Sequence, residues 1–206
     1  MDGVDDLAGK APRFRRCADA FGAKVAAVPP ERWADPSPCV EWTARDVVGH
    51  VVNLHQAALV PVGRALSPAP TVEEDPFEAI RAARADVEAV LADPAVAGRL
   101  VDTPVGVMPA ATHVDRVVSV EMVLHGWDLA RATGQDDEID PAEVERLWPR
   151  MSTMSEELRT PGTLGPRIVV FGPEVPVPAD APLQDRLLGA IGRDPHQKPC
   201  EWRQSQ

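Results

Sequence analysis

Glu121 and His125 stand four residues apart in the segment Val120-Glu-Met-Val-Leu-His-Gly-Trp127. On an α-helix that separation puts a carboxylate and an imidazole on one face, about 6 Å apart along the axis, so that an oxygen and a nitrogen can converge on one point. Such a pair suits a borderline cation such as zinc, nickel, iron or manganese. The same spacing also describes an ordinary surface pair, and spacing alone leaves both readings open. A third residue, His50, lies between Gly49 and Val51 in a valine-rich stretch. Two histidines and a glutamate on one ion would leave coordination positions vacant, as catalytic rather than closed structural sites do. A vacant position can take up water or a thiol and lower its pKa. A lone histidine on an apolar helix is more often a core residue, and periodicity does not say whether His50 faces Glu121.

Two carboxylates are placed to orient these histidines: Asp128, three residues after His125, and Asp46, four before His50. Either could accept a hydrogen bond from a ligand ring. Each also has a plainer role, a helix–helix contact for Asp128 and helix capping for Asp46. Cys17 and Cys39 read as packing residues. Trp42 and Trp127 could wall a pocket, with core packing as the default.

Proline punctuates the elements that must carry these residues; the chain has 22. Phe14, Cys17, Ala18, Phe21 and Val25 recur at helical spacing and predict a first helix over Ala11–Val28, ended by Pro29-Pro30. Thr43 with Asp46 makes a capping-box pattern ahead of a helix from Ala44 to about Leu59, and a third helix is expected near Phe77–Leu91. Gly98–Pro109 reads as a short extended excursion. Thr112, with Asp115 three residues on, is the expected N-cap of a helix over His113–Ala132, closed by Gly134. Pro141 opens a further helix to about Leu158. A Gly- and Pro-rich stretch around Ile168-Val-Val-Phe171 and a short helix over Pro182–Ile191 follow, then a polar tail. The expectation is an all-α fold with a four-helix core, residues 11–158 forming the bundle domain and residues 159–206 a small Pro-rich extension packed on it.

The net charge of -11 argues against a phosphate-binding face, so no nucleic-acid partner is expected. Three cysteines with no CxxC pair point to neither a disulfide framework nor a cysteine zinc knuckle. The polar N-terminus and the lack of any long apolar run leave no membrane span, and a cytoplasmic location is expected. Neither a Gly-rich phosphate loop nor a Ser-His-Asp signature is present.

Longer segments carry a family likeness. Glu41-Trp-Thr-Ala-Arg-Asp-Val-Val-Gly-His-Val-Val52 resembles the Trp-Thr-x-x-Asp-x-x-x-His segment of the DinB/YfiT-like superfamily. Glu121-Met-Val-Leu-His-Gly-Trp-Asp-Leu-Ala-Arg-Ala-Thr-Gly134 resembles the corresponding segment of its actinobacterial branch, which includes mycothiol-dependent maleylpyruvate isomerase. Phe171–Pro195 resembles the C-terminal signature of a metal-binding subfamily in that branch. The resemblance implies a DinB-like up-down-down-up four-helix bundle holding one divalent metal ion, zinc or nickel first among the candidates, on His50, Glu121 and His125. It also implies a metal-dependent enzyme that activates a low-molecular-weight thiol, with mycothiol as cosubstrate, for S-transfer to an electrophile or isomerisation. The partners would be small molecules. A non-catalytic metal-binding or stress-response module with the same site is the alternative, and a homodimer through exposed apolar helix faces stays open. The Pro-rich stretch that follows Leu158 differs from the isomerase's substantial C-terminal domain, so the isomerase's own activity and substrate are not expected to carry over.

Overall fold

Apolar side chains spaced three and four apart set the first helix. In α1 (Leu7–Ala26), Phe14, Cys17, Ala18, Phe21 and Val25 are all buried. The computed structural model describes residues 7–104, 106–153, 159 and 171–197. Helix α1 starts a turn ahead of Ala11, with Pro12 inside it. Helix α2 spans Ala44–Leu59 behind a complete capping box: the Thr43 hydroxyl accepts from Asp46 N at 3.2 Å, and the Asp46 carboxylate accepts from Thr43 N at 2.8 Å. Such caps contribute roughly 1 kcal/mol. Helix α3 (Pro76–Leu91) opens on Asp75, whose side chain accepts from Glu78 N, and a short α4 (Pro94–Ala97) follows.

The extended excursion is an antiparallel hairpin of β1 (Leu100–Thr103) and β2 (Gly106–Pro109), so the chain is mostly helical with a small two-stranded sheet rather than all-α. Val101 pairs with Met108, and both are buried, giving the hairpin one core-facing side. Gly106 takes φ 108°, a backbone shape that L side chains rarely adopt.

Thr112 is not an N-cap. Helix α5 (Ala110–Val114) begins directly after Pro109, and Thr112 is buried within it. Asp115 turns its carboxylate to Arg13, 2.6 Å away, and Lys10, 3.3 Å away, instead of to a helix start. Helix α5 continues through a π-helical turn, Asp115–Ser119, into α6 (Val120–Thr133). Gly134 ends α6 at φ 69°, and Arg32 Nη2 donates to the Ala132 carbonyl beside it.

Helix α1 packs on α3 and α6, and α2 packs on the same two helices. Phe14, Phe21, Val47, Val51, Val87, Met122 and Leu129 meet in their shared core.

The chain divides into two compact units between Asp137 and Glu138, not after Leu158. The cause is that α7 (Pro141–Met151) packs on α8 (Leu183–Ala190) within the second unit. Helix α7 is described to Met151; the expected continuation through 154–158, and Ile168–Val170, lie outside the described residues. Within this unit Val175 N donates to the Gly189 carbonyl, and a Cβ at Gly189 would meet Val177 Cγ2 at 2.5 Å, so only glycine fits there. Among the described residues no helix is long and apolar enough to cross a membrane.

Candidate metal centre

Helices α2 and α6 lie against each other, and their contact carries the candidate ligands. On α2, Val47, Val48 and Val51 fill the core, which leaves His50 at the helix edge with a side chain 33% exposed. Helix α6 is buried on most of its surface, and Glu121 and His125 share its side toward His50. The structure brings these three residues together. Glu121 Oε2 lies 3.1 Å from His125 Nε2 and 4.0 Å from His50 Nε2. The two imidazole rings meet edge to face with centroids 4.8 Å apart. All three donor atoms fall within 4.8 Å of one another.

Behind His125 lies Asp128, fully buried, with Oδ2 2.8 Å from Nδ1. A carboxylate only accepts, so Nδ1 must carry the proton and Nε2 faces Glu121. Burial opposes charge on His125, yet its hydrogen bonds with Asp128, Cys39 and Glu121 outweigh that cost and hold its pKa well above the usual histidine value.

A tight loop ahead of α2 closes the site. Ser37 N donates to the Trp42 carbonyl, Trp42 N donates to the Cys39 carbonyl, and Pro36 and Thr43 form an antiparallel bridge. Glu41 adopts φ 66°, the one positive φ outside glycine among the described residues. The loop lays the Trp42 ring 4.8 Å from His50 and stacks it 5.7 Å from His125. It also sets Cys39 Sγ 3.3 Å from Asp128 Oδ2.

Asp128 thus stands where a residue orienting a ligand histidine would stand, and Asp46 does not. The Asp46 carboxylate accepts from Thr43 N and Oγ1, which commits it to the helix cap. His55 points away from the centre: its Nδ1 donates to the Val51 carbonyl at 2.7 Å, its ring lies edge-on to Phe14, and burial pushes its pKa down to about 4. Trp127 is core, with Arg131 over its ring. Cys39, read from sequence as packing, is the residue that spacing missed. No local pattern ties it to Asp128, 89 positions away.

The family profile described as the mycothiol maleylpyruvate isomerase N-terminal domain matches residues 14–130. The chain is also similar to two uncharacterized Mycobacterium tuberculosis proteins, from strains CDC 1551 / Oshkosh and ATCC 25618 / H37Rv. Each is 33% identical over 183 residues, covering 87% of this chain and 94% of the relative. No solved structure matches significantly. The matched span holds the loop, α2, the hairpin and α6 as far as Ala130, and with them every residue of the centre described above; the chain belongs to the mycothiol maleylpyruvate isomerase N-terminal domain family.

Proposed function

We propose that this protein holds one divalent metal ion on His50, Glu121 and His125 and uses it to activate a small thiol of the mycothiol type for S-transfer to an electrophile or for isomerisation. The observation that carries this reading is the convergence of two imidazole nitrogens and one carboxylate oxygen within 4.8 Å. The donor set fits a borderline cation, with zinc or nickel as the first candidates. A bound ion of this kind supplies the Lewis acidity that lowers the pKa of a thiol or water in its vacant position.

The chain's own residues prepare that chemistry. Asp128 fixes the His125 tautomer, leaving Nε2 to act as the donor. His50 and Glu121, with side chains 33% and 21% exposed, leave an approach from solvent for a cosubstrate. Trp42 walls the centre beside both rings and gives an incoming small molecule an apolar surface. The pairwise packing of α1, α2, α3 and α6 supports a DinB-like up-down-down-up bundle as the scaffold. The net charge of -11 supports small-molecule rather than nucleic-acid partners, and low-molecular-weight thiols belong to a reducing cytoplasm.

The test is metal analysis of protein purified without added metal, for the wild type and His50→Ala, followed by a screen of thiols against electrophiles. The proposal expects about one ion per chain, its loss in His50→Ala, and thiol-dependent turnover. Full metal content in the variant refutes the site. Metal bound without turnover reduces the protein to the non-catalytic binding module.

A further inference from the structure

Resting on the metal reading above, we infer that Cys39 is a positioning residue of the centre: its thiol holds Asp128, and through Asp128 it holds His125 with Nε2 toward Glu121 and His50. Asp128 is a fully buried carboxylate, and such a group needs donors to be tolerated in the interior. His125 Nδ1 and Cys39 Sγ both donate to the same oxygen, Oδ2, at 2.8 and 3.3 Å. One donor sits a turn back on Asp128's own helix and the other comes from a separate loop, so the carboxylate is pinned from two directions. A thiol is a weak donor in water but counts for more where water is excluded.

The loop is built to deliver that thiol. Cys39 N donates to Ser37 Oγ at 3.2 Å, and the Cys39 carbonyl accepts from Trp42 N at 3.0 Å. The backbone of residue 39 is therefore fixed on both sides. The same loop places Trp42 against both rings, so one segment sets the back of His125 and the wall in front of it.

Cys39, His125 and Asp128 also lie close enough to form a metal-binding group of their own. The hydrogen bonding favours positioning instead. The Nδ1 atom is committed to Asp128 Oδ2, and Cys39 Sγ lies 4.0 Å from Nδ1 with its proton on the same carboxylate.

The experiment titrates Zn2+, and Co2+ with its visible spectrum as the readout of ligand geometry, into the full chain. The proteins are wild type, Cys39→Ala, Cys39→Val, Cys39→Ser, Asp128→Asn and the double variant Cys39→Ala/Asp128→Asn. Metal-free melting temperatures separate folding from binding, and the near-isosteric valine serves if alanine unfolds the loop. Replacing a residue that orients a ligand directly costs about 10–100-fold in metal affinity, and Cys39 acts one bond further out. The expected loss in Cys39→Ala and Cys39→Val is therefore about three- to tenfold, with most of it restored by serine, which keeps a donor. In the Asp128→Asn background the alanine change should cost nothing further. Unchanged affinity in both non-donor variants overturns the inference while the metal site stands. So does failure of serine to rescue, which marks a thiolate ligand or a packing role, and so does additivity in the double variant. No ion on the wild type, or an unaffected His50→Ala, overturns both this inference and the reading it rests on.

Discussion

His55 makes the stability of the first unit depend on pH in a way that can be worked out. Its ring is wholly buried against Phe14, and burial lowers its pKa from 6.5 to about 4. In the unfolded chain the ring takes up its proton near 6.5; in the folded protein it does so only near 4. Between those values the unfolded state binds more protons, so its contribution to stability is complete above pH 6.5 and is lost as pH falls toward 4. At roughly 1.4 kcal/mol per pH unit, that gap is worth about 3 kcal/mol. His125 works in the opposite sense, because its raised pKa stabilises the metal-free fold at low pH and that contribution fades as pH rises. A raw stability curve therefore mixes the two, and a difference measurement separates them. His55→Leu removes the titrating group while keeping an apolar side chain against Phe14. Urea unfolding of metal-free protein, followed by circular dichroism at several values between pH 7.5 and 4, gives both curves. The wild type should lose about 3 kcal/mol relative to the variant across that interval. Curves that stay parallel within about 0.5 kcal/mol would refute the assignment of His55 as a neutral, buried ring.

Three further outcomes follow from an aromatic contact of the centre and from the ion pairs of Asp115. Trp42 lies against both His50 and His125, so an added divalent ion should change tryptophan emission, and Trp42→Phe should abolish most of that change although four tryptophans remain; an undiminished signal in the variant would place the ion elsewhere. Arg13 is 3% exposed and bonds Asp115 at the start of the π-helical turn, so Arg13→Ala should lower unfolding free energy by about 3 kcal/mol. Lys10→Ala, which removes the 3.3 Å ion pair to the Asp115 carboxylate, should cost less than about 1 kcal/mol. Equal losses in the two variants would sink the idea that the buried guanidinium dominates.

Local chemistry was legible wherever it was self-contained. Helix α2 begins and ends at the residues that its capping box and valine spacing indicate, because both partners of the cap lie within four positions. Thr112 and Asp115 present the same pattern, yet no cap forms there. Pro109 starts that helix earlier, and Asp115 is taken by Arg13, which comes from 102 positions away. The extended character of Leu100–Val107 was visible in its valines, but the pairing of Val101 with Met108 depends on a turn and on what the hairpin covers. Glu121 and His125 share a face by helical geometry alone, whereas the meeting of His50 with them is a matter of helix packing that spacing does not encode. Cys39 was out of reach for the same reason: its partner is on another element, and nothing in the loop's composition marks the thiol as more than filler.

The π-helical turn at Asp115–Ser119 also has a geometrical consequence for the whole segment. A π turn accommodates one residue more than the α turn it replaces, so the helix before it is out of phase with the helix after it by roughly 100°. Asp115, where the turn begins, is tied to α1 through Arg13, while Glu121, just after the turn, faces His50 of α2. The surplus residue works as a vernier between these two frames. Each can settle into its own best fit without dragging the other round, and a single deletion there would force them back into one phase.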